Sequence, residues 1–309
     1  AEATLKNINL NIYKGEKVLI VGPSGSGKST LGHCLNGLIP FSYKGDIEGS
    51  LKVDGRETKD LSIFDLSKSI GTVLQDSDSQ FVGLTVAEDI AFALENDNVP
   101  TKEMKKRVEQ VAKIVEMEKF LQASPYEISG GQKQRASLGG VLVDQVDILL
   151  FDEPLANLDP ATGKRTIEII DEIHQENKKT IVIIEHRIED VLHRPVDRII
   201  LINEGQIVAD MTPDEMLASQ LLIDNGIREP LYLSAIRYAG IDPKEEMKPS
   251  SLDSIELSED QWRLLRKFDD DIRNIERKHL SDEIIFEAKN IDFSYKRKKK
   301  ILKEISFNI

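Results

Sequence analysis

Gly22–Ser29, "GPSGSGKS", limits what this chain can fold into more than any other stretch, because it fits G-x-x-x-x-G-K-[ST] in a structural frame that gives the pattern meaning. Val18–Val21 before it is a continuous apolar run, as expected of a strand buried on both faces of a parallel sheet. An amphipathic stretch through Leu38 follows it, and Pro40 ends that stretch. Strand, glycine-rich turn and helix in this order predict an α/β fold. Gly22, Gly25 and Gly27 permit backbone conformations closed to residues with a Cβ, so that N–H groups can turn inward on phosphate oxygens. The helix start adds its positive end. Lys28 can reach β- and γ-phosphates, and the Ser29 hydroxyl can coordinate Mg²⁺. Gly22, Pro23, Ser24, Gly25, Ser26, Gly27, Lys28, Ser29 and Thr30 are therefore the expected nucleotide-binding residues.

A second site lies at Ile148–Pro154, "ILLFDEP". Its apolar start predicts another buried strand, whose C-terminal end delivers Asp152 and Glu153 beside the phosphate cradle. Asp152 suits an Mg²⁺ ligand, directly or through water. Glu153 could polarise a water for in-line attack on a γ-phosphate. A helix cap is the blander reading of such acids, but it does not account for two adjacent carboxylates after a wholly apolar run.

At Ile128–Arg135, "ISGGQKQR", the chain resembles the ABC ATPases. Ser129, Gly130, Gly131 and Gln132 match the family's signature motif, with Ile128 in place of the usual Leu. Gln75, which ends the run Ile70–Leu74, matches the Q-loop glutamine, and Leu155–Asp159, "LANLD", matches the D-loop. His186, after Ile181–Ile184, matches the switch histidine. The resemblance implies a P-loop NTPase with a mixed or parallel sheet core and an inserted α-helical signature subdomain, about residues 85–143. It also implies ATP and Mg²⁺, with Glu153, His186 and Gln75 catalytic and Ser29, Gln75 and Asp152 at the metal. Two such domains would sandwich two ATP molecules head to tail, each signature motif acting on its partner's nucleotide.

The chain repeats itself. Leu5–Ile12 and Leu302–Ile309 agree at five of eight positions, at an offset of 302 − 5 = 297. Leu5–Ile12 reads as the strand before the cradle. Ile284–Tyr295, "IIFEAKNIDFSY", resembles the opening strand of an ABC domain, with Tyr295 as the aromatic that stacks on adenine. The organisation expected is an ATPase domain over 1–210, a helical connector over 211–283, and the first strands of a second ATPase domain over 284–309, an excerpt of a tandem protein. In the connector, Thr212–Glu215 opens one helix. Ser258 and Gln261 make a capping box for another, with Trp262, Leu265, Phe268, Ile272 and Ile275 along one face. Packing against the ATPase body or binding a partner would each explain that stripe.

Three further stretches, "LNGLIP", "QDSDSQFVGLTVAEDIAFALEN" and "EHRIED", resemble the ATPases of energy-coupling-factor importers, which take up vitamins and metal ions in prokaryotes. The partners implied are a second ABC domain and integral membrane subunits, with the protein peripheral on the cytoplasmic face. No apolar run approaches the roughly 18–20 residues of a membrane span, and Cys34 alone can form no internal disulfide, which fits a reducing compartment. A soluble tandem ABC ATPase acting on ribosomes or nucleic acid is the alternative, and a scaffold without turnover a third reading. The net charge of −13 speaks against nucleic acid, as do twelve Asp/Glu against seven Lys/Arg over Glu245–Glu283. The basic run Lys296–Lys300 reads as a solvated loop. Glu153 and His186 speak against the scaffold.

Overall fold

The computed structural model describes residues 3–75, 80–156, 158–273, 283–294 and 300–309. β1 (Lys17–Val21) leads through the glycine-rich turn into α1 (Lys28–Leu35) and a short α2 (Leu38–Phe41). The small hairpin of β2 (Lys52–Val53) and β3 (Arg56–Glu57), then α3 (Ile63–Ser67), precede β4 (Ile70–Val73). The helices α4 (Val86–Asn96), α5 (Thr101–Ile114) and α6 (Gly130–Leu142) are inserted between β4 and β5 (Ile148–Asp152). α7 (Pro160–Asn177), β6 (Thr180–Ile184), α8 (Ile188–Val191), β7 (Arg198–Asn203) and β8 (Gln206–Met211) complete the sheet and its cover. Beyond it lie α9 (Pro213–Ala218), α10 (Leu221–Asp224), α11 (Leu231–Tyr238), α12 (Glu259–Arg273), β9 (Glu287–Phe293) and β10 (Leu302–Asn308).

The six-stranded sheet has the order β4-β5-β6-β1-β7-β8. All its pairings are parallel except β7–β8. The apolar runs are continuous because both faces are covered, and alternate residues serve different sides. Leu19 and Val21 of β1 join one core cluster with Val86 and Ile90 of α4. Val18 and Ile20 join the other with Leu31 of α1. The mixed, mostly parallel sheet and the inserted helices match the expected fold class.

Two expectations need correction. Leu5–Ile12 is not a strand. Its Leu5, Ile8, Leu10 and Ile12 pack in alternation on the Val18/Ile20 cluster, and Lys6 N–H donates to Gly205 O at 2.8 Å. Alternation places the side chains, but a strand also needs a continuous ladder partner, and no described strand pairs with this segment. The helix after the cradle ends at Leu35 rather than near Leu38, because Gly37 turns the chain with φ +80°.

The chain divides into two compact units at Leu265/Arg266. The larger unit takes in the start of the connector. Thr212 caps α9 through a capping box, and Met216, Leu233 and Met247 belong to the same core as β1 and α4. At α12, Ser258 and Gln261 form the expected reciprocal cap. Leu265 packs on that core, whereas Trp262 is 47% exposed. Phe268 is half-buried and Ile272 exposed, and Ile275 lies outside the described residues. In the smaller unit β9 and β10 pair antiparallel, Leu302 opposite Phe293, with Phe286 stacked on Phe307.

Candidate active site

The cradle connects β1 to α1, and its glycines serve different needs. Gly25 and Gly27 have φ +77° and +104°, the left-handed region expected of them, whereas Gly22 does not. Gly22 is required by proximity: a Cβ there would lie 2.1 Å from Ile202 O. Lys28 is buried and its Nζ donates to Gly22 O and Pro23 O, both at 2.9 Å. Burial lowers its pKa, against the nearby charges of Glu153, Asp152 and Glu185. The Ser26 hydroxyl is buried without a hydrogen-bond partner among the described residues. Pro23 and Ser24 complete the turn, and Ser29 and Thr30 stand in the first turn of α1.

Parallel adjacency assembles the rest. β4, β5 and β6 are neighbours, so the residues just past their C-terminal ends converge. Asp152 ends β5 and accepts a hydrogen bond from the Ser29 hydroxyl at 3.1 Å, while burial pushes its carboxyl above the ordinary range. Glu153 follows. Gln75 Nε2 donates to its Oε2 at 2.8 Å, and His186 Nε2 lies 3.0 Å from its Oε1. Glu153 has φ +51°, and its N–H donates to Ile184 O at 2.9 Å. Gln75, Glu153 and His186, separated widely in sequence, thus form one hydrogen-bonded group beside Ser29 and Asp152.

The signature residues are not in that group. Ser129 caps α6: its hydroxyl accepts from Gln132 N–H at 3.4 Å, and Gln132 Oε1 accepts from Ser129 N–H at 2.8 Å. A Cβ on Gly131 would lie 2.3 Å from Thr162 Cγ2, whereas one on Gly130 would meet nothing within 4 Å. Tyr295 and Asn157 of "LANLD" lie outside the described residues.

The residue reading overlooked several supports. Glu185 is buried and accepts from Leu155 N–H at 3.0 Å and His186 N–H at 2.8 Å. Burial raises its pKa. Arg187 Nη1 donates to Leu155 O at 3.1 Å, and Gln134 Nε2 donates to Pro154 O. An acid closing the otherwise apolar run Ile181–Glu185 was the available signal.

The description "ABC transporter" matches residues 5–156. The solved structure of cbiO1 from Clostridium perfringens, described as part of the ABC transporter complex cbiONQ, aligns with TM-score 0.65 and 31% identity over 76% of this chain and 92% of that one. The chain belongs to the ABC transporter ATPases. A second description, "ATP-binding cassette cobalt transporter", matches residues 219–293 of this family member. An ABC transporter ATP-binding protein of Clostridium perfringens, an assignment its name marks as provisional, is 58% identical over the whole of this chain and 54% of its own length. A similarly named Enterococcus faecalis protein is 62% identical over 78% of this chain and 43% of its own. This ABC chain therefore spans about half the length of these curated relatives. The dimeric ABC transporter cassette MJ0796 aligns with TM-score 0.60 and 32% identity over 68% of this chain and 90% of that one. It is also solved in a post-hydrolysis state bound to ADP and Pi.

Proposed function

We propose that this chain hydrolyses ATP to power an importer of the energy-coupling-factor type, acting on a membrane partner that carries a vitamin or metal ion. The observation that carries the reading is Glu153, held between Gln75 and His186 at 2.8 and 3.0 Å, beside the Ser29–Asp152 pair and the cradle lysine. Support for the importer class comes from the cobalt-transporter match over residues 219–293 and the likeness to cbiO1.

In this reading Lys28 exchanges its bonds to Gly22 O and Pro23 O for phosphate oxygens, and the unpartnered Ser26 hydroxyl lies in the same cradle. The Ser29 and Asp152 oxygens fit Mg²⁺, a hard cation that takes one or two protein carboxylates and completes its shell with phosphate and water. Gln75 gives its amide nitrogen to Glu153 and keeps its oxygen for the cation. When bound, Mg²⁺ would neutralise charge building on the β- and γ-phosphate oxygens. Glu153 orients and polarises the attacking water, and His186 holds that carboxylate and faces the γ-phosphate. Ser129, Gly130, Gly131 and Gln132 act on ATP held by a second ABC domain, through the positive start of α6. Among the described residues no helix is long and apolar enough to cross a membrane. The likeness to cbiO1, part of a transporter complex, supports a place on the cytoplasmic face, against integral membrane subunits.

Purification from membranes tests this. Small multi-spanning subunits should accompany the protein, and Glu153→Gln should abolish ATP-driven uptake. Recovery with ribosomes or DNA instead would overturn the importer reading.

A further inference from the structure

We propose that Glu185 and Arg187, the two neighbours of His186, form a clamp on Leu155 that holds His186 in register with Glu153. The inference rests on the assignment of Glu153 and His186 above, and names positioning residues for that site.

Leu155 is fully buried, and both its main-chain groups are taken by residues flanking the histidine. Its N–H donates to Glu185 Oε2 at 3.0 Å, and its C=O accepts from Arg187 Nη1 at 3.1 Å. The same Nη1 donates to Leu158 O at 3.2 Å, and Arg187 Nε donates to Asp190 at 2.6 Å. The other Glu185 oxygen, Oε1, accepts from His186 N–H at 2.8 Å and Arg187 N–H at 3.2 Å. One carboxylate therefore faces the histidine backbone with one oxygen and the segment after Glu153 with the other. Between Glu153 and Leu155 stands Pro154, whose ring fixes φ, so a displacement of Leu155 passes to Glu153 with little slack.

A buried carboxylate is costly, and its burial pushes the Glu185 pKa up. Filling space here would need only an apolar side chain. The task that needs a carboxylate is to accept on both sides at once. Gln would offer one oxygen and set an NH₂ against an N–H on the other side. Lys at 187 would keep the charge but lose the planar fork that joins Asp190, through Nε, to the two carbonyls, through Nη1.

Glu185→Gln in the full chain should lower kcat about tenfold to a hundredfold, the scale of a misplaced catalytic group. The MgATP Kd should stay within about twofold, the pattern of lost positioning rather than lost binding. Arg187→Lys, at a half-exposed residue more tolerant of change, should show the same split. In a His186→Ala background Glu185→Gln should cost less than about twofold more, because its object is gone. Amide exchange reads the clamp without turnover: Leu155 or His186, whichever faces the new NH₂, should lose protection in Glu185→Gln. Independent, multiplicative losses, a Kd that rises as kcat falls, or unchanged protection at both amides would each overturn the clamp. Glu153→Gln is the control, since undiminished turnover there would sink the assignment of Glu153 while the exchange data still judge the clamp.

Discussion

In the proposed mechanism Glu153 and Lys28 have separable tasks, one acting on water and the other on phosphate, and substitutions should separate them. Glu153→Gln keeps the shape and the cradle, so MgATP binding should stay near wild type while turnover falls to background. A wild-type rate in a steady-state phosphate-release assay would refute the role given to Glu153. Lys28→Ala removes a buried cation that the cradle already holds through Gly22 O and Pro23 O. A hydrogen bond to a charged group contributes about 1.5–3 kcal/mol, so MgATP titration should show a Kd raised roughly tenfold to a hundredfold. Unaltered affinity would mean that Lys28 does not meet the phosphates.

At the scale of elements, the starts of α6 and α7 are fitted to each other. Asp159 caps α7, accepting from Ala161 N–H, Thr162 N–H and the Thr162 hydroxyl at 3.1, 3.1 and 2.5 Å. The methyl group of Thr162 fills the place where Gly131 would carry a Cβ. Gly131→Ala should therefore destabilise the fold by about 1–3 kcal/mol through overpacking. Gly130→Ala has open space and should leave the thermal midpoint unchanged or slightly higher, since Ala favours a helix. Equal midpoints for both variants would contradict this geometry. The Thr162 hydroxyl, then its N–H, holds the Asp159 carboxyl below the ordinary aspartate value of 3.8. A depressed pKa gives stability that is present above the unfolded value and lost as pH falls through the folded one. Asp159→Asn should flatten that acid limb of the unfolding curve, and an unchanged limb would count against the cap.

For the whole molecule the question is what completes the site. The signature serine and glycines stand outside the Gln75–Glu153–His186 group, and in the proposed mechanism they act on another domain's nucleotide. Specific ATPase activity should rise with protein concentration. Ser129→Arg should abolish it while MgATP binding persists. Concentration-independent turnover by a species shown to be monomeric in sedimentation would defeat the paired-domain mechanism.

Short-range patterns made much of this protein legible in its sequence. The cradle, the apolar runs of β1, β5 and β6, and the caps at Thr212 and Ser258 are written within a few residues of one another, where period, glycine and capping chemistry act locally. Pairing was not legible. Leu5–Ile12 has the alternation of a strand but pairs with no described strand, and Gly22 is needed because Ile202 O passes 2.1 Å from where its Cβ would stand. The acids closing the run Ile148–Phe151 named Glu153 and the motif resemblance named Gln75 and His186, but their meeting depends on β4, β5 and β6 lying side by side in parallel register, Val73 opposite Phe151 and Asp152 opposite Ile184. The Glu185 and Arg187 grip on Leu155 was missed for the same reason. Local sequence determined which segments could be strand, turn and helix, whereas strand order, set by burying both faces of one sheet, decided which side chains became neighbours.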